Sequence, residues 1–132
     1  MTQSTTRRAY RAGVAVAALT SLTTVWTTIV RDDGSGAGFF LVIMAAGVGA
    51  FAAWFRADGM ARAMLGVAVM QLLFGIAIAT APITAATSGG PLKALIFNGT
   101  LAVAWLVSAA CFRIASRQRR EMPATVSATP AL

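Results

Sequence analysis

The chain contains no histidine, a single cysteine and only four acidic residues among 132. Without histidine, the commonest general base near neutral pH and the commonest metal ligand are both missing. A lone Cys111 excludes an internal disulfide, and beside a helix end it reads as a small packing residue. Charged residues make up 11% of the sequence, against roughly 25% in an ordinary soluble domain. Four long apolar stretches hold no ionisable side chain in their interiors; Arg62 and Lys93 stand only at their ends. Ionisable groups inside a membrane mark proton relays and ion pathways, so their absence argues against proton-coupled transport. No catalytic pair can be assembled from the residues that remain. The sequence reads as that of a non-enzyme, with no cofactor and no metal site.

What is present is apolar length: 58% of the residues are hydrophobic. They gather in blocks at about 12–30, 38–55, 61–82 and 92–112, each close to the ~20 residues that cross a hydrocarbon core as a helix. The blocks lack alternating polarity, and an open sheet cannot satisfy its edge groups in lipid. The predicted fold is therefore all-α, a transmembrane four-helix bundle over residues 12–112. A basic segment at 1–11 precedes it, and a stretch at 113–132, basic and then disordered, follows it. Arg7, Arg8 and Arg11 before an apolar run could open a signal peptide. However, the Ala15–Val16–Ala17 cleavage pattern lies inside the apolar run, which continues to Val30, so a retained first helix is expected.

Orientation follows from charge. Arg7, Arg8 and Arg11 precede the first block, and Arg56 and Arg62 flank the second turn. Arg113, Arg117, Arg119 and Arg120 follow the last block, while only Arg31 and Lys93 fall on the opposite side. Lys and Arg accumulate on cytoplasmic flanks, so both termini and the turn between the second and third helices are predicted to be cytoplasmic. These nine cations, less Asp58 and Glu121, account for the entire formal charge of +7. They would attract anionic headgroups on the cytoplasmic side, each by about 1 kcal/mol when near the surface. Membrane lipids are thus the expected partners. No nucleic acid is needed to explain the basicity, since no aromatic platform is interleaved with the arginines. The expected location is the inner membrane of a bacterial-type cell, multi-pass.

The segment AWFRADGMARAM, residues 53–64, sits at that predicted cytoplasmic turn. Arg56 can snorkel from the end of the second helix, and Asp58 is a candidate N-cap for the third. Asp58 and Arg62 are four residues apart, the spacing of a helical ion pair. Arg56, Asp58 and Arg62 are accordingly assigned to the turn, with contact to a partner as the alternative. The other connections are RDDGSGAG and ITAATSGGPLK, both carrying turn residues.

Membrane helices associate through close packing and hydrogen bonds, because lipid is as apolar as their side chains. In the first helix Thr20, Thr24 and Thr27 or Thr28 form a hydroxyl stripe, with Ala18, Leu22, Val25 and Ile29 on the far side. The second helix has Ala45, Gly49 and Ala53 at four-residue spacing, a ribbon over which a neighbour can approach. Gln71 falls near mid-membrane in the third helix and Asn98 in the outer third of the fourth. Two polar layers are expected: Gln71 with the middle of the first helix, and Asn98 with its outer end. The candidate buried polar set is Thr20, Thr24, Thr28, Gln71 and Asn98, acting as packing glue or lining a path. A weak echo between RAGVAV and RAMLGVAV, and between AAWFR and AACFR, is attributed to chance similarity of Ala/Val-rich helices.

Val25–Trp26, Asp32–Asp33, Phe39–Phe40, Gly49–Ala50, Phe55–Arg56 and the run from Gly59 to Ala63 carry a resemblance. The chain resembles an uncharacterised family of short bacterial four-helix integral membrane proteins, best over the first three helices. The resemblance implies a fold and a compartment and no activity. The family's outer loop often carries an acidic–Asn–Pro element, where this chain has DDGSGAG. The expected function is that of a small integral membrane protein acting by association, with itself as a homo-oligomer or with a larger membrane complex. The alternative is an oligomeric transporter or channel for a neutral or weakly polar solute.

Overall fold

The computed structural model describes residues 2–31 and 36–122. Among these residues there are five helices and no strand: α1 Thr2–Arg31, α2 Gly36–Ala52, α3 Ala57–Thr80, α4 Pro82–Ala85 and α5 Gly90–Arg120. By length and composition, α1, α3 and α5 are long and apolar enough to cross a membrane, and α2 is a shorter apolar helix. At about 1.5 Å per residue, the 17 residues of α2 cover about 26 Å. The hydrocarbon core is about 30 Å thick.

Each helix boundary has a local cause. α1 begins ten residues before the apolar block, so Arg7, Arg8 and Arg11 are helical and continuous with it. α2 stops at Ala52, short of the predicted 55, because Trp54 and Phe55 adopt φ of 49° and 53°. Left-handed backbone is unusual for bulky side chains and costs on the order of 1 kcal/mol per residue. Here the reversal is held by four hydrogen bonds: Trp54 N–H to Phe51 O (2.9 Å), Phe55 N–H to Ala50 O (3.2 Å), Arg56 N–H to Ala53 O (3.0 Å) and Tyr10 Oη–H to Phe55 O (2.8 Å). α3 ends where Ala81 turns extended, with ψ of 137°, as the residue before a proline prefers; Pro82 then opens the single turn of α4. Gly89, at φ 69°, serves as N-cap of α5. α5 continues eight residues past the predicted 112, since Ala115 and Ser116 remain buried against the rest of the molecule. Arg117, Arg119 and Arg120 in its last turn complement the negative end of the helix dipole. The stretch 113–132 is thus helical at first; of its predicted disordered part, 121–132, residues 123–132 lie outside the described residues, as does the loop carrying Asp32 and Asp33.

The main packing pairs are α3 with α5, α1 with α5, α2 with α3 and α1 with α2, which close a ring. α3–α5 is the most extensive. Its core holds Met64, Val67, Ala68, Trp105 and Phe112, with Val42 and Ala46 entering from α2. Outside this core the long helices turn Leu, Ile, Val, Phe and Trp side chains outward: Leu22, Ile29, Phe51, Leu73, Ile96 and Val103 are all more than half exposed. The small-residue ribbon of α2 works as close packing. A Cβ at Gly49 would come within 2.9 Å of the Ala63 Cβ on α3. Gly47, by contrast, meets nothing within 4 Å.

Candidate functional site

Two polar constellations exist along the α3–α5 seam. The first is buried. Gln71 Nε2–H donates to Asn98 Oδ1 at 2.7 Å, and Asn98 Nδ2–H donates to Ala94 O at 2.9 Å. Ala94 O can only accept, so Asn98 must turn its Nδ2 toward it and offer its oxygen to Gln71. The orientation of both amides follows from that one carbonyl. The helices meet closely here: a Cβ on Gly75 would lie 2.5 Å from the Asn98 Cβ. Gln71 Oε1 and, on α5, Trp105 Nε1 are buried without a hydrogen-bond partner.

This pairing corrects the expectation of two polar layers. Gln71 and Asn98 bond to each other across α3 and α5, not separately to α1. The hydroxyls of α1 close on their own helix: Thr20 Oγ1–H to Val16 O at 2.7 Å, Thr24 Oγ1–H to Thr20 O at 2.7 Å and Thr28 Oγ1–H to Thr24 O at 2.8 Å. Thr20 and Thr24 are buried and Thr28 is half-buried. The stripe therefore faces inward while contributing no hydrogen bond between helices. The polar bridge from α1 to α5 is made instead by Ser108, whose Oγ–H donates to Gly13 O at 2.8 Å. Phe112 stacks edge-on to Tyr10 one turn away, at 5.2 Å between ring centroids. Ser108 carried no sequence signal, because one serine in an Ala/Val-rich helix does not reveal which backbone carbonyl it will meet.

The second constellation is open. Tyr10, the 53–56 turn, the start of α3 and the end of α5 come together at one end of the molecule, through the contact of Tyr10 with Phe55 O and that of Tyr10 with Phe112. Arg120 Nη2 lies 3.2 Å from Asp58 Oδ2, joining α5 to α3. Two expectations for this stretch are corrected. The N-cap of α3 is Arg56, with no side-chain cap hydrogen bond, and Asp58 sits in the first turn. The partner of Asp58 is Arg120, 62 positions away, and not Arg62. The tertiary approach of α5 prevails because its last turn presents several guanidinium groups to a single carboxylate. Arg56 is exposed at the turn.

Between the first turns of α3 and the last turns of α5 runs a groove of about 600 Å³. Its rim carries Arg62, Arg113, Arg117 and Arg120 with Asp58, and its deeper wall carries Leu65, Leu106, Ala109 and Ala110. Sequence reading singled out Arg62 and Asp58 here and missed the α5 arginines as their neighbours, since pairing across 50 or more residues leaves no local pattern. Among the described residues no three His, Cys, Asp or Glu side chains gather as metal ligands would.

Among the described residues, the fold and this site are helical, with three helices long and apolar enough to cross a membrane and an arginine-lined groove at one end. No family model, curated protein or solved structure matches it.

Proposed function

We propose that this chain is a multi-pass integral membrane protein with four spans, both termini cytoplasmic, in a bacterial-type inner membrane. It belongs with short four-helix membrane proteins of unassigned activity, and it acts by association within the bilayer, with itself or with a larger complex. The observation that carries this reading is the apolar outer surface. A soluble monomer rarely exposes large contiguous apolar patches, yet here leucine, isoleucine, valine and phenylalanine face outward along α1, α2, α3 and α5. Lipid is the solvent such a surface suits. α2, at 17 residues shorter than α1, α3 and α5, spans with local thinning of the bilayer or with help from the flanking turn. The exposed Trp54 and Phe55 of that turn are placed as interfacial anchors, a common role for aromatic side chains at the headgroup level. With nine of its eleven basic residues on the predicted cytoplasmic side, the chain has the charge bias that sets such an orientation.

The transporter reading has less support. Its lining residues are engaged with one another or with their own helix: Gln71 with Asn98, Thr20 and Thr24 with the α1 backbone. Cross-linking in intact membranes of a tagged copy at native abundance tests the proposal. Recovery of the chain with itself or with a distinct membrane protein, in fixed ratio, is the expected result. A chain recovered only as a monomer would overturn action by association. Reporter fusions at the two termini test orientation, and activity of a periplasm-dependent reporter at either end would overturn it.

A further inference from the structure

We infer that the groove between α3 and α5 is a binding site for one anionic phospholipid, its phosphate on the arginine rim and an acyl chain along Leu65 and Leu106. The inference rests on the membrane-spanning reading above and goes beyond general attraction of a basic surface to anionic lipid. Three observations carry it. The first is charge. Four guanidinium groups face one carboxylate, and that carboxylate is engaged by Arg120. Arg62, Arg113 and Arg117 make no ion pair among the described residues. Guanidinium forks suit phosphate oxygens, which they can grip with two parallel hydrogen bonds.

The second is order along the helix axis. Leu65 lies one turn beyond Arg62 on α3, about 4.5 Å deeper, and Leu106 two turns before Arg113 on α5, about 10.5 Å deeper. The antiparallel helices thus present the same sequence from end to centre, cationic rim and then aliphatic wall. A phospholipid has that sequence too, phosphate and then hydrocarbon. A free phosphate would leave the leucines unused, and a soluble acidic peptide would leave them facing water. The third is exposure. Leu65 and Leu106 are 47% and 41% exposed although they flank buried Ala61 and Ala109, so the wall is open along its length to a chain lying in the bilayer. The volume of about 600 Å³ accommodates a headgroup with several methylenes. Basic pockets between membrane helices on the cytoplasmic side are a recognised setting for anionic headgroups.

Native mass spectrometry of the full chain, released from bilayers that mix phosphatidylglycerol with phosphatidylcholine, tests this. The expected result is one retained phosphatidylglycerol per chain, enriched over phosphatidylcholine. A doubly substituted Arg62→Gln/Arg113→Gln chain should lose that retention by about 25-fold, at roughly fivefold per arginine near an anionic surface. An Arg7→Gln/Arg8→Gln chain, with the same net charge but the groove intact, should keep it. Equal retention in the two variants, or an equal fall, would mean diffuse attraction and overturn the site. Full displacement of the lipid by millimolar inorganic phosphate would overturn the lipid as occupant in favour of a free anion. Alkaline carbonate extraction separates the two levels of the argument. A chain that remains in the membrane pellet but retains no phosphatidylglycerol refutes the groove alone. A chain released by carbonate refutes the membrane-spanning reading and the groove with it.

Discussion

The same two helices, α3 and α5, make a closed seam in one place and an open groove in another. Around Gln71, Asn98 and Gly75 they approach until no room remains for a Cβ, and the polar groups there are neutral amides bonded to each other. About two and a half to six turns away, toward the start of α3 and the end of α5, the edge of the seam is an open groove whose polar groups are arginines and one aspartate. The difference follows from the cost of burial. An amide pair can be satisfied inside a low-dielectric seam by one donor and one acceptor, whereas a charge there loses several kcal/mol of hydration. The charges therefore collect on the exposed edge of the seam, beside the buried Ala61, Ala109 and Ala115.

The comparison can be broken most forcefully at Gly75. A Gly75→Val substitution forces a side chain against Asn98, and overpacking of this kind costs about 1–3 kcal/mol. Unfolding in detergent with a denaturing-surfactant titration should show a loss near the top of that range. Stability like that of the parent would mean that α3 and α5 do not approach so closely.

Next in size is the amide pair. Gln71→Leu should destabilise by about 1 kcal/mol, within the range for hydrogen bonds between membrane helices. The loss is moderated because leucine also removes the unpartnered Oε1. A double-mutant cycle with Asn98→Leu should return a coupling of about 0.6–1.7 kcal/mol. Zero coupling would show that the 2.7 Å contact adds nothing, and a change in solute flux with unchanged stability would favour the transporter reading.

At the open end the effects shrink. Arg120 and Asp58 side chains are 73% and 51% exposed, and surface ion pairs contribute about 0–1 kcal/mol. Asp58→Asn should thus cost less than about 0.5 kcal/mol, and that small cost should fade as salt is raised. A larger, salt-insensitive loss would make the groove end as structural as the seam.

The smallest effect is expected outside both regions. Gly47 on α2 faces nothing within 4 Å, so Gly47→Ala should leave unfolding unchanged to within about 0.5 kcal/mol. It does discriminate at the level of assembly. If the cross-linked species seen with the parent chain disappears in this variant, the outer face of α2 is the surface of association.

Some of this was legible along the chain and some was not. Apolar block length announced the helical class and the three helices long and apolar enough to cross a membrane, because hydrophobicity over ~20 residues is additive and local. The inward turn of Thr20 and Thr24 was legible in the same way, from which residues share a helical face. Turn residues carried less information. The end of α2 was misplaced by three residues because Trp54 and Phe55, not glycine, take the left-handed backbone, and no rule of composition marks aromatic residues for that duty. Partner choice was not legible. Asp58 has an arginine four positions along its own helix and still pairs with Arg120. Gln71 was expected to meet the α1 hydroxyls and instead bonds Asn98.

By itself, then, the amino-acid order determined the helical class, the apolar lengths, the asymmetric placement of arginine and the faces that turn inward. Those properties are sums over neighbours in sequence, and each is set before any helix meets another. Only the tertiary structure decided which polar groups satisfy each other, where the seam closes on Gly75 and where it opens into the arginine groove. Those outcomes depend on which helices become adjacent and on how closely small residues let them approach, a matter of a few ångströms between positions tens of residues apart.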